Sequence, residues 1–143
     1  MGKKAIVILM GVFFIFCLGA VLVEQKTANA SDARIVRIMG GDSYNVKGIR
    51  LEPEIITVSP GSVVIWNNWA RAYEVKIIFE EGKVCDDVSD AETGFKLDSK
   101  NCYVTTWIKL GGTTSLRFNE KGTYKYIVET PSGIKGKGAI RVR

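Results

Sequence analysis

Any chemistry in this chain has to be built without imidazole, because none of its 143 residues is histidine. Ser–His–acid and Cys–His arrangements are therefore excluded, and no paired-carboxylate or Ser–Lys spacing stands in their place. The expectation is a binding protein and not an enzyme. Cys85 and Cys102, with Asp86 and Asp87 beside them, are the remaining candidates for soft metal ligation. Structural zinc needs four such ligands, and no histidine exists to complete the set. Asp86, Asp87, Asp90, Glu92 and Asp98 offer oxygen ligands, but their spacing lacks the central glycine and closing glutamate of an EF-hand loop. They read as a solvated acidic loop, and no cofactor is expected.

The two cysteines make better sense as a disulfide. Residues 1–30 carry the features of an export signal: Lys3 and Lys4, an apolar run from Ala5 to Val23, and a polar stretch ending Ala28-Asn29-Ala30. Cleavage before Ser31 is one reading. The other is an uncleaved anchor over residues 5–23, since nineteen apolar residues just reach the length that spans a bilayer. Both place residues 31–143 outside the cytoplasm, periplasmic or secreted, with any membrane attachment made through the N-terminal segment. Cys17 lies inside the apolar run, which leaves Cys85 and Cys102 as an even pair in an oxidising compartment. Their bridge would close a short loop and contribute on the order of 3 kcal/mol.

From Ser31 onward there are seventeen Lys and Arg against fourteen Asp and Glu, too weak an excess to suggest nucleic-acid binding. The charges are unevenly spread. Lys121 to Arg143 holds six cations opposed by Glu129, whereas Glu80 to Asp98 holds seven acids. Short β-branched and aromatic runs separated by Gly, Pro, Asn and Ser give an all-β pattern in one domain. Strands are expected at 34–39, 44–51, 55–58, 62–67, 73–79, 103–110, 114–118, 123–129 and 138–142. Seven to nine such strands in about 110 residues argue for a Greek-key β-sandwich. The stretch 80–102 breaks the pattern and is expected as a polar excursion with the disulfide at its neck.

Two segments carry a family resemblance. Leu51-Glu52-Pro53-Glu54-Ile55-Ile56-Thr57-Val58 leads into Gly61-Ser62-Val63-Val64-Ile65-Trp66-Asn67-Asn68, and Phe118-Asn119-Glu120-Lys121-Gly122-Thr123-Tyr124-Lys125-Tyr126 leads to the Lys135-Gly136-Lys137-Gly138-Ala139-Ile140-Arg141-Val142 ending. Both are similar to the cupredoxin family of plastocyanin- and azurin-like domains, and the resemblance implies a cupredoxin-like Greek-key β-sandwich. The family holds type 1 copper with two His, a Cys and a weak axial Met. Matched residue by residue, those ligands fall on Tyr73, Val128, Pro131 and Ile134, none of which can replace them. The family's binuclear copper centre needs two cysteines on the C-terminal loop, which has none.

The resemblance thus implies a domain without a type 1 copper site, acting as a protein-binding or accessory subunit of an extracytoplasmic complex, the partner being a redox or surface assembly of the envelope. The alternative is a periplasmic electron-transfer or copper-handling protein using non-standard or partner-shared ligands. Trp66 alternates with Val64 and is expected in the core. Trp69 lies in the loop that sits at the copper end of the family's fold, either as an exposed contact or as a half-buried cap. The candidate partner-binding residues are Trp69, Arg71, Tyr73, Lys135 and Lys137.

Overall fold

In the computed structural model, residues 32–41, 46–71, 73–80, 89–100 and 102–143 are described, and they contain strands and turns with no helix. Among these residues, accordingly, no helix is long and apolar enough to cross a membrane. The signal or anchor segment, 1–30, and Cys85 lie outside the described residues.

Eleven strands follow one another: β1 (Ala33–Gly41), β2 (Val46–Glu52), β3 (Ile55–Val58), β4 (Ser62–Asn68), β5 (Lys76–Phe79), β6 (Ser89–Thr93), β7 (Phe95–Leu97), β8 (Tyr103–Thr105), β9 (Thr113–Phe118), β10 (Gly122–Glu129) and β11 (Lys135–Val142). They form a five-stranded sheet in the order β2-β1-β4-β9-β6 and a six-stranded sheet in the order β3-β11-β10-β5-β8-β7. β1 runs parallel to β4 and β3 parallel to β11; the remaining pairings are antiparallel.

Period-two patterning explains the layering. In β4, Val64 and Trp66 are fully buried while Val63 and Ile65 are half-exposed, and β10 buries Tyr124, Tyr126 and Val128 between exposed or half-exposed neighbours. Trp66 is the hub of the core, as expected, with ring centroids 5.5 Å from Phe95, 5.5 Å from Tyr126 and 6.0 Å from Phe79. Among the described residues, the buried hydrophobic side chains run from Val36 to Val142 and form one cluster. Gly138 stands opposite Tyr126, and a Cβ there would overlap the phenol ring and come within 2.8 Å of Leu51 Cδ1. This contact, not backbone freedom, requires glycine.

Three expectations are corrected. The stretch 80–102 is not one loop: β6 extends the first sheet beside β9, and β7 extends the second beside β8. Phe95 anchors it by packing on Trp66 and Phe79. The strand expected over 103–110 ends at Thr105, where the Thr105 hydroxyl accepts the Ile77 N–H at 2.9 Å in place of a carbonyl; only Ile108 beyond it pairs, with Val75. The strand expected from Tyr73 begins at Lys76, because the Tyr73 carbonyl is taken by the side chain of Asn68 at 3.0 Å.

Candidate functional site: the loop end of the sandwich

The end of the sandwich opposite Ser62 is built around Asn68, the last residue of β4 and fully buried. Its Nδ2 donates to the Tyr73 carbonyl at 3.0 Å and the Ile108 carbonyl at 2.8 Å, and its Oδ1 accepts the Ala70 N–H at 2.9 Å. Its backbone adds two bonds to the 111–112 turn: the Gly112 carbonyl accepts the Asn68 N–H at 3.0 Å, and the Gly111 N–H donates to the Asn68 carbonyl at 2.7 Å. One side chain and its own peptide groups therefore hold three segments in fixed relation. Gly111 permits the turn because its φ of +76° lies in the left-handed region.

Beside this knot the chain leaves β4 as Trp69, whose N–H donates to the Ile38 carbonyl at 2.8 Å while its indole stays 52 % exposed. Trp69 is thus exposed and does not form the half-buried cap. Asn68, Trp69, Arg71, Leu110 and Gly111 line an open groove of about 510 Å³. Leu110 is 57 % exposed. Trp69 and Leu110 thus stand exposed together at the mouth of one groove. Trp107, also exposed, is covered by the ammonium group of Lys76, 5.0 Å from its ring centroid.

The second loop at this end joins β10 to β11. Thr130, itself buried, governs it: its Oγ1 accepts the Ile134 N–H at 3.1 Å, its N–H donates to the Ile134 carbonyl at 3.0 Å, and its carbonyl accepts the Gly133 N–H at 2.9 Å. The turn closes on its own groups. Pairing of Lys76 with Glu129 brings the end of the 69–75 segment alongside it.

The four positions matched to copper ligands can now be placed. Tyr73 is half-buried with its ring against the core, Val128 is fully buried between Ile77 and Gly136, Pro131 is exposed at the tip of the turn, and Ile134 is half-buried. The donor set offers one phenol and no imidazole, thiolate or thioether, so these residues do not fit type 1 copper. Among the described residues no three His, Cys, Asp or Glu side chains cluster as a metal site.

The five candidate partner-binding residues do not form one patch. Trp69 and Arg71 share the groove, whereas Tyr73 packs inward. Lys135 pairs with Glu129 at 3.4 Å, and Lys137 lines a different hollow of about 280 Å³ with Glu54, Glu80 and Lys125. Both lysines belong to β11 and alternate with the buried Gly136, so they project from the outer face of the six-stranded sheet. Asn68, Leu110 and Trp107 were not singled out as site residues from the sequence. An Asn closing a strand reads as turn chemistry, and Leu110 before Gly-Gly reads as the end of a buried strand.

No family model and no curated protein sequence matches the chain. Solved structures do. A reduced single-residue mutant of amicyanin superposes with a TM-score of 0.52 at 18% identity, over 80% of this chain and 85% of that one. Amicyanin from Paracoccus versutus gives 0.51 at 17%, over 78% and 82%, and another amicyanin mutant in its Cu(I) form gives 0.51 at 19%, over 78% and 82%. The fold is a cupredoxin-like β-sandwich. At these identities the likeness extends to the fold alone.

Proposed function

We propose that this protein is an exported cupredoxin-like domain that works without a type 1 copper site, as a protein-binding or accessory subunit of an extracytoplasmic complex. The observation that carries the reading is the Trp69–Leu110 groove, an exposed apolar surface held by Asn68 on a domain whose matched ligand positions offer no imidazole, thiolate or thioether. Export is supported by Lys3, Lys4, the apolar run to Val23 and the small residues Ala28 and Ala30. The groove suits an apolar segment of a partner protein, with Arg71 at its edge favouring an acidic neighbour.

The test is recovery of partner from the native envelope by wild type, Trp69→Ala and Leu110→Ala, each first shown to unfold cooperatively. A hot-spot tryptophan costs at least about 2 kcal/mol on truncation, so Trp69→Ala is expected to weaken binding roughly thirtyfold. Equal recovery by all three proteins would overturn the assignment of the groove.

A further inference from the structure

The outer face of the six-stranded sheet carries a second and independent surface. Its rows follow from the strand registers. In the middle row Lys137 stands opposite Ile127, Ile127 opposite Ile78, Ile78 opposite Val104 and Val104 opposite Lys96. Three apolar side chains, all half-exposed, thus run across β10, β5 and β8, with a lysine at either end on β11 and β7. The row above is Lys135, Glu129 and Lys76; the row below is Ile55, Ala139 and Lys125; and Arg141 follows between Thr57 and Thr123. Among the described residues of these rows the cations number six. Three acids oppose them: Glu129, which pairs with Lys135, the Glu80 whose N–H donates to the Lys125 carbonyl, and Glu54, which borders the hollow with Lys125 and Lys137. Four of the six cations between Lys121 and Arg143, namely Lys125, Lys135, Lys137 and Arg141, therefore share one sheet face with Lys76 and Lys96.

From this pattern we propose that the outer face of the six-stranded sheet docks on an anionic lipid surface. Lysines at the ends of an apolar row can lay their alkyl stems along it and keep their ammonium groups at the level of lipid headgroups, while Ile127, Ile78 and Val104 meet the boundary beneath. The charge is complementary to an acidic leaflet, towards which each nearby Lys or Arg is drawn by about 1 kcal/mol. An acidic protein face would complement the cations but would find no ion-pair partner along the apolar row, so lipid is the occupant the pattern favours. The surface is separate from the Trp69 groove, and neither reading depends on the other.

The chain from Ser31, which contains all the described core residues and is first shown to unfold cooperatively, is sedimented with vesicles of phosphatidylcholine alone and of phosphatidylcholine mixed with phosphatidylglycerol. Wild type is expected to bind the mixed vesicles, to ignore the neutral ones and to be released by salt. The Lys125→Gln/Lys137→Gln/Arg141→Gln variant, checked for an unchanged unfolding midpoint, is expected to bind about a hundredfold more weakly. Ile127→Ser should also weaken binding, whereas Trp69→Ala should bind like wild type. Binding equal for wild type and the triple variant, or no preference for the anionic vesicles, overturns the proposal. Loss of wild-type binding to both vesicles with retained capture of an acidic protein would likewise overturn it and assign the face to that protein.

Discussion

Removing the Asn68 side chain should damage this protein more than any single surface change. Asn68→Ala deletes three hydrogen bonds, two of them fully buried, and leaves the Ala70 N–H and the Tyr73 and Ile108 carbonyls without the Asn68 amide. Each bond has a net worth of about 1 kcal/mol, and an abandoned buried group costs about 1–3 kcal/mol. Partial relaxation and water entry at the half-exposed Tyr73 reduce the total, which we place at roughly 3–5 kcal/mol. For a domain of this size with a urea m-value of about 2 kcal/mol/M, the midpoint should fall by about 2 M with m unchanged. Urea unfolding read by tryptophan fluorescence measures this directly, since Trp66 is buried. Asn68→Asp should cost at least as much. It keeps the acceptor for Ala70 but turns a carboxylate oxygen towards two carbonyls, and the amide orientation is fixed by that same asymmetry of partners. A loss below about 1 kcal/mol for Asn68→Ala would refute the claim that this residue holds the groove together.

Two further outcomes follow from the core and the cysteines. Burial pushes the Tyr126 phenol up to about 12, reinforced by the nearby Glu54 carboxylate, so its ionisation favours the unfolded chain. The shift is upward, so this stability is complete below about pH 10 and is lost as pH rises from about 10 to 12, by roughly 3 kcal/mol. Tyr126→Phe should abolish that loss and, because the buried hydroxyl has no hydrogen-bond partner, should not destabilise the protein at neutral pH; stability profiles of the two proteins against pH decide it. Cys85 and Cys102 should be joined in protein taken from the exporting compartment, adding two alkylation sites after reduction and lowering stability by about 3 kcal/mol on their release. Two alkylated thiols in the unreduced, unfolded chain would contradict the pairing.

Legibility in the sequence tracked how strongly burial was patterned. β3 was read at its observed bounds because Ile56 and Val58 alternate with Ile55 and Thr57 between a proline and a Pro-Gly turn. β10 was read to within a residue because Tyr124, Tyr126 and Val128 repeat at period two. β6 and β7 were missed. Both are sheet edges, paired through the backbone along one side, and from Ser89 to Leu97 the large apolar residues are limited to Phe95 and Leu97, too short a run to signal a strand. Trp69 and Arg71 lie at the loop end, where the family resemblance puts the segment that follows Asn67-Asn68, and both line one groove. Grouping Lys135 and Lys137 with them failed for a geometric reason: the chain has already re-entered β11 at Lys135, and alternation carries both side chains to the outer sheet face. Asn68 was hidden for the opposite reason, since its role depends on Ile108, forty residues away, which nothing local reveals.

The central claim is most directly tested by metal analysis of protein purified from its native compartment and then titrated with Cu(II) and Cu(I) before gel filtration. With Tyr73, Val128, Pro131 and Ile134 at the matched positions, copper after filtration should stay at background and no intense visible band should develop. One tightly held copper per chain with such a band would contradict the account.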